Sequence, residues 1–182
     1  MQNIKDLSGT YNLDPSHSRV GFVARHAMIA KVRGAFNEVS GTATIDGANP
    51  SATDLQVTIQ TASVDTRDAN RDGHLTSPDF FDAATYPTIT FKATSAEIVD
   101  DETVAVTGDL TIKDTTRPVV VPFIFGGSAK DPFGNERIGF EGQVTVNRKD
   151  WGLTWNAALE TGGVLVSDKV TLELEVSAVK AA

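Results

Sequence analysis

The sequence predicts an all-β fold, one antiparallel barrel with a short helical insertion around residues 65–82. Eight or nine stretches alternate apolar and polar residues with a period of two, and almost nothing repeats at helical spacing. In the clearest, Ile138, Phe140, Gly142, Val144 and Val146 share one face, with Arg137, Glu141, Gln143 and Thr145 on the other. Strands that bury one face only, strung along a single chain of 182 residues, have to close around a common interior.

The elements follow in order. Residues 10–14 read as a short strand broken by Pro15. Val20, Phe22, Ala24 and His26 then share a face, with Arg19, Val23 and Arg25 opposite. In the strand over 31–46, Val32 and Phe36 are out of phase with Val39, Ala43 and Ile45, so a β-bulge is expected near Asn37–Val39. Leu55, Val57 and Ile59 form the next inner face. In the insertion, Asp65 or Thr66 is expected to cap a first short helix with Asp68 in its first turn. A second short helix is expected to restart at Ser77-Pro78-Asp79 and to carry Phe80 and Phe81. Alternation resumes with Ile89, Phe91 and Ala93, then Val104, Val106, Gly108, Leu110 and Ile112. Val119–Phe125 is apolar in both parities and holds Pro122 and, just before it, Pro118. That predicts an edge or bulged strand, covered either by the chain's own loops or by a second copy in a homodimer. The last strand places Val170, Leu172, Leu174, Val176 and Ala178 inward.

Composition fits one domain over 1–182, at 40% hydrophobic and 22% charged residues. A net charge of −8, with no cluster of Lys and Arg to override it, opposes nucleic acid and anionic bilayers as partners. The absence of cysteine excludes disulfides, thiolate metal sites and cysteine nucleophiles. Residues 1–9 lack the basic start and apolar run of a signal peptide, and no apolar run is long enough to cross a bilayer as a helix. A cytoplasmic protein without stable membrane insertion is expected.

The inward faces mix bulky residues (Phe22, Phe36, Phe91, Phe123, Phe140) with small ones (Ala24, Ala43, Ala93, Gly108, Gly142). Both a packed interior and a hollow one fit this mixture; an unfilled void costs about 24 cal/mol per Å³, so a large one would be retained only for a ligand. Arg71, Asp72 and His74 could grip a polar head group. Asp72 with His74 could also act as an acid/base pair, or Arg71 and Asp72 could simply brace the insertion. Parity aims His26 and Arg148 inward, and a buried Arg148 needs an anion from Asp150, Asp72 or a ligand. His17, His26 and His74 do not match a metal-ligand spacing, so no metal is expected. Ser16-His17-Ser18 has only Asp14 nearby as an orienting acid, and no nucleophile elbow is present.

Several short motifs follow one another across nearly the whole chain. Asp14-Pro-Ser-His17-Ser18-x-Val20-x-Phe22-x-x-x-His26 opens the chain. Arg71-Asp72-x-His74-Leu75-x-Ser77-x-x-Phe80-Phe81-Asp82 and Tyr86-Pro87-x-Ile89-x-Phe91 follow. Gly108-x-Leu110-Thr111-Ile112, Thr116-x-Pro118-Val119 and Arg148-x-Asp150-Trp151-Gly152 complete the series. Together they resemble the YceI-like family of lipid-binding proteins. The resemblance implies an extended eight-stranded antiparallel lipocalin-like barrel whose hydrophobic pore binds long isoprenoid or other amphiphilic chains. It also implies homodimers, and in many relatives a periplasmic location that this leaderless chain would not share. Trp151 stands where a Phe is more usual, and Lys169-Val170 where an acidic residue often precedes the Val.

The expected function is therefore a carrier, store or sequestering protein for a polyisoprenoid-type lipid, with no cofactor beyond that ligand. Phe22, Phe36, Ile89, Phe91, Phe140, Val144, Trp151 and Leu172 are expected to line the pore, and His26, Arg71, His74 and Arg148 to fix the polar end. Two alternatives stand beside it: a lipid-modifying isomerase or hydrolase using Asp72 and His74, and a stress-associated protein whose packed barrel binds a protein partner.

Overall fold

Strands with one apolar face cannot leave it in water, and here eight of them roll it into a closed ring. A computed structural model describes residues 3–182. Its strands are β1 (Ser8–Leu13), β2 (Arg19–His26), β3 (Ala30–Phe36), β4 (Val39–Asp46), β5 (Asp54–Gln60), β6 (Val64–Asp65), β7 (Thr88–Ile98), β8 (Thr103–Ile112), β9 (Thr115–Lys130), β10 (Glu136–Asn147) and β11 (Lys169–Lys180), with one helix, α1 (Ala69–Thr76). The antiparallel order β1-β4-β5-β7-β8-β9-β10-β11 returns to β1 through Tyr11↔Lys180, Asn12↔Val179 and Leu13↔Ala178.

Two of the eight ring positions are longer than a single strand. β11 passes from β1 to β2 along its length, pairing Leu174 with Val20 and Leu172 with Phe22. β1 and β2 thus act as one strand interrupted by a 3-10 turn at Pro15–His17, which Asp14 caps through the Ser16 N–H. β3 and β4 likewise form one strand, interrupted at Asn37–Glu38. The interruption is a two-residue break where the sequence predicted a bulge, and it brings Phe36 and Val39 onto the same inner wall. A true bulge lies in β7, where Ala93 faces Gly108 and Ser95 faces Thr107, so that Thr94 is extra. It turns Ala96 and Ile98 inward to follow Phe91 and Ala93.

The insertion departs from expectation. It holds one helix, and Asp68, not Asp65 or Thr66, is its N-cap, accepting from the N–H groups of Asn70 and Arg71 at 3.0 Å each. Asp65 is engaged elsewhere, accepting from the Arg67 N–H and the Asn37 amide. The expected second helix over 77–82 is a run of turns. Ser77 precedes a proline and takes an extended conformation with ψ 168°, which ends α1 and starts no new helix.

β9 is neither a full edge nor a fully covered strand. It pairs with β8 along Thr115–Ile124 but with β10 only from Phe123 onward, so Pro118 and Pro122 sit where β9 has parted from β10. Its outer face leaves Val120 and Ile124 about half exposed, uncovered by the chain's own loops. Apolar packing inside the ring divides by height. Ile4, Leu7, Tyr11, Ile138 and Ala178 fill one end, and Ile59, Ile89, Leu110, Val119, Val121 and Trp151 gather toward the other.

Candidate functional site

The inward glycines set the shape of the barrel interior. A Cβ on Gly34 would come within 2.3 Å of the Phe22 ring, one on Gly108 within 2.3 Å of Phe91, and one on Gly142 within 2.7 Å of Phe123. Each aromatic ring therefore occupies the space that a side chain on the neighbouring strand's glycine would take, which covers exposed backbone and keeps the ring against the wall. Small inward residues thus serve mainly to park aromatic rings against the wall.

Space remains along the axis. The cavity measures ≈ 330 Å³ and runs the length of the ring, from Ile4, Leu7 and Tyr11 at one end to Trp151, Leu153 and Arg148 at the other. Its wall is almost wholly apolar. Phe22, Phe36, Ile89, Phe91, Phe140, Trp151 and Leu172, all expected at the pore, line it. Val144 does not; it packs on the core cluster around Trp151. The interior is therefore hollow, against the packed-barrel alternative.

One end is stoppered by the segment ahead of β1, where the strand alternation has not yet begun. Asn3 and Asp6 form a capping box around a single 3-10 turn, which drives Ile4 and Leu7 inward to 3% and 1% exposure. The capping pair and the three-residue spacing of Ile4 and Leu7 are legible in the sequence and could have revealed this plug. The other end carries a lid: α1 and the turns after it present Leu75, Phe80 and Phe81 to the cavity, and the Phe81 ring meets Phe36 edge-on at 5.7 Å.

The expected polar residues fall into two groups. Arg71 does not reach the cavity: its Nε donates to Thr66 Oγ1 and its Nη2 to the Thr66 carbonyl, both at 2.8 Å. Asp72 Oδ1 accepts from the Thr66 N–H at 2.8 Å and hydroxyl at 2.6 Å. These residues brace the lid. His74 also stays outside the cavity. Its Nε2 lies 2.9 Å from Asp79, and its ring stands edge-on to Trp155 at 4.6 Å and Phe80 at 5.0 Å, latching the lid to the 153–168 loop. Asp72 and His74 are thus not brought together, and the acid/base pair of the enzyme alternative is not formed. His26 is a second correction: it is exposed at the end of β2, and its backbone bridges to Val166, because the strand runs past the ring there.

Arg148 does reach the interior, at 5% exposure. Its Nε donates to the Ser167 carbonyl at 2.9 Å, Nη1 to the Leu153 carbonyl at 2.5 Å and Nη2 to the Val166 carbonyl at 3.4 Å. Burial pushes its affinity for the proton down, while Asp168, 3.9 Å away, pulls it up. Neither of the partners expected for it, Asp150 or Asp72, is the acid that it meets. Beside it, Trp151 Nε1 donates to the Leu110 carbonyl at 2.9 Å and so satisfies its one polar atom.

The Ser-His-Asp cluster at Asp14–His17 has the wrong geometry for a relay. Ser16 Oγ and Asp14 Oδ2 both approach His17 Nδ1, at 2.9 and 2.8 Å, whereas the nucleophilic hydroxyl and the orienting acid need opposite nitrogens of the histidine base. Asp14 also accepts from Arg137 Nη1 at 2.6 Å, and Arg137 Nε donates to Asp131 at 2.8 Å. Asp14 is held far below the usual carboxylate range by its hydrogen bonds from Ser16, then Arg137 and His17. Asp131 is held there by Asn135 and then Arg137.

Comparison with known proteins bears on this architecture. The model of the YceI-like domain matches residues 11–178. A UPF0312 protein of Ectopseudomonas mendocina is 39% identical over 150 residues, covering 81% of this chain and 78% of that protein. The crystal structure of Burkholderia cenocepacia BcnA superposes with TM-score 0.79 at 27% identity, over 91% of this chain and 98% of that one. The Campylobacter jejuni YceI protein does so with TM-score 0.75 at 34% identity, over 87% and 90%. A polyisoprenoid binding domain from Saccharophagus degradans shares the fold, with TM-score 0.72 at 18% identity over 94% and 98%.

Proposed function

The chain belongs to the YceI-like family, and from that premise we propose that it binds a long isoprenoid or other amphiphilic lipid chain inside the barrel. The observation that carries this is the capped apolar cavity of ≈ 330 Å³ along the barrel axis. Kept empty, a void of that size would cost on the order of 8 kcal/mol, comparable to the whole stability of a domain. An occupant that buries roughly 300 Å² of its own chain would instead contribute on the order of 7 kcal/mol before ordering costs. The uniform wall selects for apolar length and cross-section.

Carriage, storage or sequestration of the lipid are all uses of such a pore, and carriage is the one proposed. The exposed strip at Val120, Pro122 and Ile124 belongs to the same proposal as a homodimer contact, tested by whether Ile124→Lys lowers the mass found in sedimentation equilibrium. The central test is extraction of the purified protein with organic solvent, mass spectrometry of the extract, and rebinding of what is found. A lipid with a long apolar chain is expected. Recovery of nothing lipid-like, together with no rebinding of a long-chain probe, would sink the proposal.

A further inference from the structure

The β2–β3 hairpin carries a charge unlike the rest of the chain. Residues 19–36 hold Arg19, Arg25, Lys31 and Arg33 and not one of the chain's 24 carboxylates, in a protein of net charge −8. Arg19 and Arg33 lie against Glu173 at 4.0 and 3.3 Å. Arg25 and Lys31, nearer the tip, have no carboxylate within ion-pair distance among the described residues. Lys169 borders the same groove, and Asp168 there is engaged by Lys149 at 3.2 Å. The neighbouring turn contributes Glu160. The balance around the tip is positive.

The tip itself is apolar: Ala27, Met28, Ile29, Ala30. Met28 is 59% and Ile29 81% exposed, and Val164 of the adjoining loop is exposed beside them, with Gly163 close to the Met28 side chain. Ala27 and Met28 both adopt left-handed conformations, φ 50° and 65°, in a turn closed by the Ile29 N–H on the His26 carbonyl. Such positions favour glycine or asparagine. A chain that places a strained methionine there holds an apolar side chain out into solvent at a conformational cost.

We infer that this hairpin docks the protein on an anionic lipid bilayer, with Met28 and Ile29 entering the interface and Arg25, Lys31 and Lys169 facing the head groups. Charge complementarity selects this tip over the other exposed apolar ones. Val99 lies among Glu97, Asp100, Asp101 and Glu102, which an anionic surface repels. Phe133 sits in a turn where Asp131 and Glu136 balance Lys130 and Arg137, and Arg137 is already held by Asp131 and Asp14. Position supports the same choice. β2 lines the cavity up to Ala24, three residues before the tip begins at Ala27, and Val166, paired with His26, lines it too. Docking therefore brings the lidded end of the pore, with Leu75, Phe80 and Phe81, to the membrane, whereas Val99 and Phe133 are at the end stoppered by Ile4 and Leu7. The role in lipid exchange rests on the pore proposal above; docking itself does not.

The test uses the full chain with vesicles of phosphatidylcholine alone or with about one-third phosphatidylglycerol, read by flotation. Wild type is expected to float with the anionic vesicles and several-fold less with the neutral ones. Met28→Asp/Ile29→Asp and Arg25→Glu/Lys31→Glu should each lower the bound fraction on the order of tenfold, while Phe133→Asp should match wild type. An Ile29→Trp variant, which leaves the hairpin otherwise intact, should show a blue-shifted emission on adding anionic vesicles. No flotation of wild type on anionic vesicles, flotation of both double variants at the wild-type level, or an unshifted Ile29→Trp spectrum would each overturn docking. Protein that floats but yields no lipid on extraction removes the pore reading and leaves docking standing; lipid-loaded protein that does not float does the reverse.

Discussion

Arg148 is a buried cation whose hydrogen bonds go to main-chain carbonyls of Ser167, Leu153 and Val166, so its first effect is to fold the loop that closes one end of the pore. Arg148→Met would strand those carbonyls. A loss of about 3 kcal/mol is expected in chemical denaturation, with Arg148→Lys recovering only part because a single ammonium cannot span the three acceptors. Arg137 works differently, from the surface. It holds Asp14 and Asp131 together, and both carboxyls are depressed below their ordinary value near 3.8. A depressed carboxyl stabilises the fold above its unfolded-state pKa and loses that contribution as pH falls toward the folded-state value. Thermal melts of wild type should therefore stay level above about pH 5 and fall progressively below pH 4. Arg137→Met should melt lower at pH 7 and show a shallower acid decline, because one cause of the depression is lost from each carboxyl while the Ser16 and Asn135 hydrogen bonds preserve the rest.

Among the elements, the pairing of aromatic rings with glycines sets the bore of the pore. The three atoms nearest a Cβ at Gly34 all belong to the Phe22 ring, so a methyl there meets a movable side chain first. Gly34→Ala should leave the circular dichroism of the barrel unchanged while pushing Phe22 into the lumen. Affinity for a long-chain fluorescent lipid should fall by about tenfold, with shorter chains less affected. Unchanged affinity would show that the ligand does not pass Phe22. Helix α1 is short and has no buried residues of its own, so its position depends on Thr66, Arg71, Asp72 and the His74 latch. The sequence announced an insertion with a capped helix here, but it could not fix which of three residues caps it. Asp65, Thr66 and Asp68 are all competent N-cap residues, and the choice followed from Asp65 being drawn to Asn37 on another strand.

For the whole molecule, ligand occupancy and stability are linked, because a lipid that binds the closed barrel has no comparable site on the unfolded chain. Protein stripped of its extract should melt lower than loaded protein, by an amount equivalent to about 2.7 kcal/mol at a hundredfold excess over Kd. Alternation of apolar and polar residues by itself determined the β-barrel and most of its inner wall: Phe22, Phe36, Ile89, Phe91, Phe140 and Leu172 were legible because a period of two assigns a face to each residue locally. Parity carries no information about where a strand leaves the ring, and so His26, in phase with Phe22, comes out exposed beyond the cavity. It cannot see side chains that pair within their own segment, which is why Arg71 and His74 proved to brace a lid. Nor does a net charge of −8 disclose that the basic residues of one hairpin gather at an apolar tip. Where a residue's role depends on the distant segment it meets, only the tertiary structure decided it: Val166 beside His26, Trp155 against His74, and the Ile4–Leu7 turn folded back into the opposite end of the pore.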